Sequence, residues 1–408
     1  MTKLFIPAIH LPNGRDLFRM LPYTPSDYKK VLKGYGERSL LESTPEDFIA
    51  LAAMPEEAYL DFLLSAGMGT QNIILCPGRE SNIAGDILAD KEVFSQIEKA
   101  SEKCTGLSFY IHLEEENEIA EKLARKEEIM HPALTRMFNR YYFLIRICED
   151  LDIELNESVQ LRSGRFLKSA RRLLEEWGKI FVRGNESVGG MHAFAIDDEA
   201  NLRRIADAIS RNVKITRYFV SRYMNVDTSW NVQFLFDDSG YTFYGSSRQI
   251  VSGGTAHVGN EGGAGNALPD EVLKLCTKIA DRLGSMGAKG LIGIDVMSAD
   301  GKLFPAEINA RRNTSTPALC LYERLARNGV GENLFFRVMS LDTPGGTGFN
   351  EFAGLIGKEN LFDIKSARGL IPYHFASSRV TGKIDAVFFS DSKEELNAIV
   401  MEVSERLE

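Results

Sequence analysis

The sequence predicts an α/β chain built of α+β lobes. Helical and strand-like apolar periodicities alternate along its length. Its 408 residues exceed what one small core needs. Two strand-like runs in the second half flank a short Ala-Asp-Gly turn. Hydrophobic residues at 44% and charged residues at 26% exclude collagen-like, coiled-coil and wholly disordered classes. A net charge of -9 leaves no surplus of Lys and Arg for bulk nucleic-acid binding, although a local basic pocket is compatible with it. No run of about 18 apolar residues offers a membrane span. Pro7 and Pro12 interrupt the N-terminal stretch before a signal-peptide core could form. The expectation is a cytoplasmic enzyme or binding protein. Its five cysteines are scattered, with no CxxC pair and no histidine at zinc spacing, and read as reduced, mostly buried thiols.

Residues 1 to about 125 mix helical runs with short apolar strands such as Asn72 to Cys76, which stops at Pro77-Gly78. The charged stretch Glu114 to Glu128 suits a solvated helix. Helices follow around Tyr141 to Glu149 and from Gly164 to Trp177, where Phe166, Ala170, Leu173 and Leu174 recur at helical spacing. Between them, Leu151 to Val159 reads as a linker with strand-like pieces. Residues 252 to 265, SGGTAHVGNEGGAG, read as a long flexible loop of the kind that often carries function. A helix is expected from about Pro269-Asp270 to residue 286. The last 40 residues give a strand over Ile384 to Phe389 and a final helix, with Ser392 and Glu395 as a capping box.

Leu291 to Ser298 and Lys302 to Asn309 are the two strand runs. If Ala299-Asp300-Gly301 is a three-residue loop, Asp295 lies opposite Pro305 and shares a face with Glu307 and Asn309. A two-residue Asp-Gly turn would instead put Asp295 on the other side. Three converging oxygen-bearing side chains suit magnesium, which takes one or two carboxylates and completes its shell with phosphates. The alternative is a solvent-facing hairpin with an acidic face. Arg311 and Arg312 follow at once, and one of them is expected to face the site and grip phosphate or carboxylate.

Lys179 to Arg183 and Met191 to Ile196 read as strands joined by the glycine loop GNESVGG, before a helix capped at Asp197 or Asp198. Neither a Walker A loop nor a dinucleotide fingerprint fits, because each needs a helix directly after its glycines. A glycine flap over phosphates and a plain hairpin turn both remain open here. His192 and His257 are candidate bases, each with a structural or simply exposed alternative.

In their order, these features resemble the ATP-grasp superfamily: an α/β lobe, a basic residue before a helix, a basic strand end, a glycine flap, a hinge strand, then G-x-D followed by E-I-N. The likeness covers roughly residues 135 to 325. Within the superfamily the chain is most similar to the pheganomycin-type peptide ligases, through AEKLARKEEIMHPALTRMFNRYYF and RGLIPYHFASSRVTGKIDAVFFSDSKEEL. The resemblance implies an ATP-grasp fold with an N-terminal pre-ATP-grasp α/β domain over 1–135, a small lobe with the flap over 136–225, a large lobe with the metal site over 226–345, and a small C-terminal α/β segment, 346–408, packing on it.

It further implies magnesium, with manganese an alternative, on Asp295, Glu307 and Asn309. ATP would be held by Arg140, Arg183, the flap residues Ser187, Val188, Gly189 and Gly190, and the hinge around Tyr218, Val220 and Tyr223. Arg311 would hold an acyl phosphate or its oxyanion, and Arg248 with the loop 252 to 265 would shape the acceptor pocket. The implied reaction joins a small-molecule or peptide carboxylate to an amine at the expense of ATP, with no nucleic acid or membrane partner and a homodimer left open. The family usually has lysine where Arg140 and Arg183 stand, and an acidic pair where Ser221 and Arg222 stand. These departures motivate the alternative of a catalytically silent ATP-binding protein. A bicarbonate-using carboxylase is a third reading.

Overall fold

The computed structural model describes residues 2–7, 31, 34–76, 82–185, 193–211, 216–252, 256–329 and 333–408. The first lobe is a parallel sheet of four short strands, β1 (Lys3–Ile6), β2 (Phe48–Leu51), β3 (Ile73–Leu75) and β4 (Gly106–Phe109), in the order β3-β2-β1-β4. Parallel strands are buried on both faces and therefore read as unbroken apolar runs. Their helices are α1 (Glu57–Ser65), α2 (Ile83–Ala89), α3 (Lys91–Ser101) and α4 (Glu114–Lys122). Ile87, Ile97 and Ile119 of the last three enter one core with Leu4 and Ile6. The charged helix expected over Glu114 to Glu128 stops at Lys122, and Ala124 adopts a positive φ of 55° just beyond it. Helices α5 (Pro132–Phe138) and α6 (Tyr141–Asp150) lead out of this lobe.

The second lobe is an antiparallel sheet of β5 (Ser158–Arg162), β6 (Ile180–Gly184), β7 (Ala193–Ile196) and β8 (Arg217–Arg222), ordered β5-β8-β6-β7. Helices α7 (Phe166–Trp177) and α8 (Glu199–Arg211) cover one face with Phe166, Leu173, Leu202 and Ile205. Helix α7 ends on Gly178 at φ 74°, a left-handed position where a Cβ is strained. Asp198 caps α8, its carboxylate accepting from Asn201 N at 2.7 Å.

The third body is an eight-stranded antiparallel sheet. It contains β9 (Thr228–Asp237), β10 (Gly240–Ser252), β11 (Ala256–Gly263), β12 (Gly290–Ala299), β13 (Lys302–Asn309), β14 (Phe335–Asp342), β15 (Gly369–Tyr373) and β16 (Lys383–Ser390), ordered β13-β12-β9-β10-β11-β14-β16-β15. The C-terminal segment thus supplies β15 and β16 to this same sheet. Helix α9 (Asp270–Ser285) joins α6 in packing on β9 and β12 through Val272, Ile279 and Leu283. Helices α10 (Thr316–Arg327), α11 (Phe349–Ile356), α12 (Phe375–Thr381) and α13 (Lys393–Leu407) complete it. Ser392 caps α13 by accepting from Glu395 N at 3.1 Å, while the Glu395 carboxylate turns to Arg368 and Ser390, so half of the expected capping box forms. A core running from Phe5, Leu51 and Tyr59 to Phe336, Ile371 and Val387 welds the first lobe to this sheet, and the Tyr59 hydroxyl donates to Pro372 O at 2.9 Å.

Two expectations are corrected. Most of residues 252 to 265 is strand, not flexible loop: β10 pairs with β11, and β11 with β14. Gly259 and Gly262 answer close packing, since a Cβ on the first would lie 2.2 Å from Val338 O and one on the second 2.4 Å from the buried Phe336 ring. The β12–β13 hairpin closes on two residues, Asp300 at φ 51° and Gly301 at φ 72°, as a type I′ turn requires. Gly262→Ala is accordingly expected to cost about 1–3 kcal/mol by overpacking. Gly345→Ala, which would meet nothing within 4 Å, should leave stability unchanged. Thermal unfolding of the two variants checks this.

Candidate active site

With a two-residue turn, uninterrupted pairing would turn Asp295 away from Glu307. It does not, because the register shifts beyond Val296↔Pro305, so that Asp295 pairs directly with Glu307 and Gly293 with Asn309. The extra residue of this β-bulge is Ala306, next to Pro305, which has no N–H to give a ladder. Asp295, Glu307 and Asn309 therefore share one face, through a different register from the one the three-residue loop implied.

Both carboxylates are held on several sides. Asp295 Oδ1 accepts from Asn231 Nδ2 at 2.6 Å and Oδ2 from Asn309 Nδ2 at 3.0 Å. Asn231 is fixed in turn by Gln233 Nε2 at 2.8 Å and by Ser315 Oγ at 3.1 Å, and Thr316 Oγ1 donates to Gln233 Oε1 at 2.8 Å. Gly293 has to be glycine here, since a Cβ would lie 2.5 Å from Asn313 Oδ1. Glu307 faces Arg183, whose guanidinium stands 3.5 Å from Oε2, donates to Ala306 O at 2.6 Å and lies over the Tyr141 ring at 4.2 Å. Arg311 donates to Asn309 Oδ1 at 2.7 Å. Burial pushes the carboxyl pKa of Asp295 up against the opposing pull of Asn231 and Arg311. Burial likewise raises Glu307, with Arg183 opposing and the Asp295 charge adding to the rise.

Arg312 does different work. Its guanidinium runs into the first lobe to pair with Glu42, donates to Ser108 Oγ at 2.6 Å, and has its pKa lowered to about 10 by burial. Of the two neighbouring arginines only Arg311 lines the cavity that holds Asp295 and Glu307.

Two cavities meet along this face. One of about 200 Å³ contains Asp295, Glu307, Asn309, Arg311, Asn231, Gln249 and His257. The other, about 170 Å³, lies between the second lobe and the large sheet and is mainly apolar, with Phe181, Tyr223, Met224, Val226 and Met297 around Arg183. Val251 and Ala306 line both, so they form one cleft.

Tyr223 lies in this cleft, but the Tyr218 and Val220 side chains point into the core of the second lobe and are fully buried there. They sit on a central strand that β5 and β6 both pair, so only its last residues, Ser221 and Arg222, and the two that follow it, Tyr223 and Met224, meet the cavity. Arg140 precedes α6, whose first N–H, on Tyr141, donates to Asn185 O at 3.0 Å where the glycine loop begins. Ser187, Val188, Gly189, Gly190 and His192 lie outside the described residues. Arg248 is corrected: strand alternation turns Gln249 into the cavity and Arg248 to the opposite face, where it and Arg337 each stand 3.1 Å from the buried Glu261. His257 lines the cavity, bonded to Asn260 at 2.9 Å, and burial lowers its pKa. The residues missed were Asn231, Gln233 and Gln249. The signal was present in β9, where Ser229, Asn231 and Gln233 alternate with Trp230, Val232 and Phe234.

Among the described residues no cluster of three or more His, Cys, Asp or Glu side chains could hold a metal ion. The donor set is two carboxylates and an amide oxygen. It fits magnesium, which keeps the rest of its shell for phosphate and water, and it fits an ion that would relieve two buried carboxylates facing one another.

No protein-family model matches the sequence. None of the curated proteins matches it. Among solved structures the chain is similar to N5-carboxyaminoimidazole synthetase from Staphylococcus aureus (TM-score 0.58, 10% identity, covering 99% of this chain and 97% of that one). It is similar also to L-amino acid ligase from Bacillus licheniformis (TM-score 0.54, 11% identity, 100% and 98% covered). A third is biotin carboxylase from Campylobacter jejuni, in a β,γ-ATP complex (TM-score 0.52, 11% identity, 85% and 77% covered). The chain has the ATP-grasp fold over its full length. At this level of identity the likeness is one of fold and assigns no substrate.

A pH dependence follows. The folded chain retains protons on Asp295 and Glu307 that the unfolded chain releases, so their contribution to stability falls as pH rises from the ordinary carboxylate range through the raised values. Metal-free Glu307→Gln should therefore melt above wild type at neutral pH and converge with it in acid. Magnesium should raise the melting temperature of wild type alone. Calorimetry across pH, with and without magnesium, checks both statements.

Proposed function

We propose that this chain is an ATP-dependent carboxylate–amine ligase that works through an acyl phosphate, with amino acids or peptides as substrates. The observation that carries the reading is the Asp295–Glu307 cross-strand pair, set between Arg183 and Arg311 at the junction of an apolar and a polar cavity. The apolar cavity suits a purine base and the polar one suits a triphosphate. Likeness to an L-amino acid ligase and the resemblance to peptide ligases favour amino-acid substrates.

Asp295, Glu307 and the amide oxygen of Asn309 would hold magnesium, which when bound screens phosphate charge and polarises the phosphoryl group. Arg183, braced on Tyr141 and Ala306 O, places a fixed guanidinium at the mouth of the base cavity, where it can neutralise phosphate as lysine does elsewhere. Arg311 presents a second cation across the cleft, suited to an acyl phosphate and to the oxyanion formed when an amine attacks it. The chemistry asks for charge stabilisation and alignment, and the site needs no protein nucleophile.

An ADP-release assay over amino-acid and dipeptide pairs tests the reading. Glu307→Gln should abolish metal-dependent turnover with the fold intact, and near-normal activity in that variant would sink the assignment. Arg183→Met should raise KM for ATP by about tenfold or more, the scale of one lost hydrogen bond to a charged group. Arg248→Ala, on the far face of the sheet, should leave it unchanged. Bicarbonate belongs in the panel, because two of the similar structures are a carboxyaminoimidazole synthetase and a biotin carboxylase. Turnover with bicarbonate alone would identify a carboxylase. ATP binding without turnover for any pair would identify the silent alternative.

A further inference from the structure

A third cavity, of about 120 Å³, lies between the first lobe and the large sheet. Its walls come from β1, β4 and the segment after β4 on one side, and from β9 and the start of β12 on the other. Leu291, in this wall, stands four residues before Asp295 on β12, about 13 Å along the strand at about 3.3 Å per residue. The ligase reading makes no use of this space.

Most of the charged groups around it are already engaged. Arg312 pairs with Glu42 and donates to Ser108 Oγ, Lys289 pairs with Asp238, Glu128 accepts from Arg125 and from Leu107 N, and Arg311 donates to Asn309. Three groups are left over. Lys3 shares a face of β1 with Phe5, which packs toward the large sheet, while Leu4 and Ile6 enter the core of the first lobe. Its side chain therefore extends to the cavity side, and its ammonium makes no hydrogen bond or ion pair among the described residues. Glu42 is 6% exposed; its Oε2 is taken by Arg312, and its Oε1 has no hydrogen-bond partner. His112 is kept neutral by burial, which lowers its pKa to about 4, and its Nδ1 accepts from Met130 N at 3.0 Å, so the ring proton is on Nε2. That nitrogen lies beside Gly290, where a Cβ would stand 3.2 Å from it, and finds no acceptor among the described residues.

Two free donors and one free acceptor thus line a cavity that Leu107, Leu235 and Leu291 make apolar elsewhere. Polar groups in such a setting are ordinarily satisfied, and a ligand that met all three would bind through charge-assisted hydrogen bonds. We infer that this cavity is a binding site for a small apolar α-amino acid, with its carboxylate on Lys3 and the His112 N–H, its ammonium on Glu42 Oε1 and its side chain against the leucines. A zwitterion answers both signs of charge at once. A phosphate dianion would face the Glu42 carboxylate with no proton to give it, and an amine without a carboxylate would leave Lys3 and His112 unmet. The inference goes beyond the ligase reading and does not rest on it, because Lys3, Glu42 and His112 line neither cavity of the cleft.

The test is isothermal titration calorimetry of the full chain, without nucleotide, against alanine, valine and leucine, the amide and the deaminated acid of each, and inorganic phosphate. Wild type should bind at least one of the amino acids, and should bind its amide and its deaminated acid about tenfold or more weakly, the scale of one hydrogen bond to a charged group. Lys3→Met should weaken the amino acid by a similar factor. Leu235→Trp, which fills the cavity from a wall residue that is 37% exposed, should abolish this binding. Neither side chain belongs to a hydrophobic core, so both variants should melt as wild type does. Glu42 is left intact because its loss would strand Arg312. No binding of any of the three amino acids, equal binding of the deaminated acid, or binding of phosphate alone would overturn the inference. So would amino-acid binding unchanged in affinity and stoichiometry in either variant, since it would then reside elsewhere, as in the cleft. ADP release plays no part in this readout, so the inference and the ligase reading fail separately.

Discussion

One register shift governs the site. The Asp300-Gly301 turn sets the outer half of the β12–β13 hairpin in a pairing that, continued, would place Asp295 and Glu307 on opposite faces. Inserting Ala306 moves the inner half on by one residue and brings the carboxylates together. The bulge has a second effect, because the Ala306 carbonyl accepts from Arg183 and tethers the second lobe to the large sheet at the point where the two cavities join. Pro305 makes the irregularity inexpensive, having no N–H to lose from a ladder. A bulge beside a functional site that re-aims a side chain is a common device.

Placing two carboxylates face to face in a buried groove is costly, and the surrounding residues show how the cost is contained. Asp295 has hydrogen-bond donors on both oxygens, supplied by asparagines whose positions are set by Gln233, Ser315 and Thr316. Such a network is stable because its members satisfy one another, and it holds the oxygens in place before any ligand arrives. Two positive groups compensate two negative ones without quenching them, since Arg183 stands 3.5 Å from Glu307 and Arg311 is bound to Asn309 rather than to a carboxylate. The carboxyl pKa values stay raised, because burial outweighs the pull of the arginines and amides around them.

Much of this was legible from residue order. The strand runs, the G-x-D and E-I-N pattern and the strand ending on Arg183 mark the hairpin and its acidic face, because period-2 alternation survives in sequence. Turn length and bulges do not. A three-residue loop and a two-residue turn with a bulge place Asp295 and Glu307 alike, so a right conclusion came from a wrong register. Glycines misled in 252 to 265 because composition cannot separate a mobile loop from a strand pressed against Val338 and Phe336. Arg248 misled because one position in a strand decides the face. Asn231 and Gln233 were readable from β9, whereas the partners they hold, Asp295, Ser315 and Thr316, are distant in sequence and meet only in the fold.

The adjacent pair Arg311-Arg312 shows how the site and the first lobe are made interdependent. Arg311 stays in the cleft, while Arg312 passes through the sheet edge to Glu42, Ser108 and the backbone of Phe109 and Tyr110. A buried ion pair adds little net stability over apolar packing, but removing one partner strands the other, so the pair penalises any displacement of the lobe. The carbonyl of Tyr110 receives the Arg312 N–H, and the ring of Tyr110 lies against Arg38. The segment that follows the β12–β13 hairpin therefore also fixes the floor beneath a second buried guanidinium. The β12–β13 hairpin and the first lobe cannot shift relative to one another without breaking a buried, charged contact, and the cleft residues are held in fixed positions as a result.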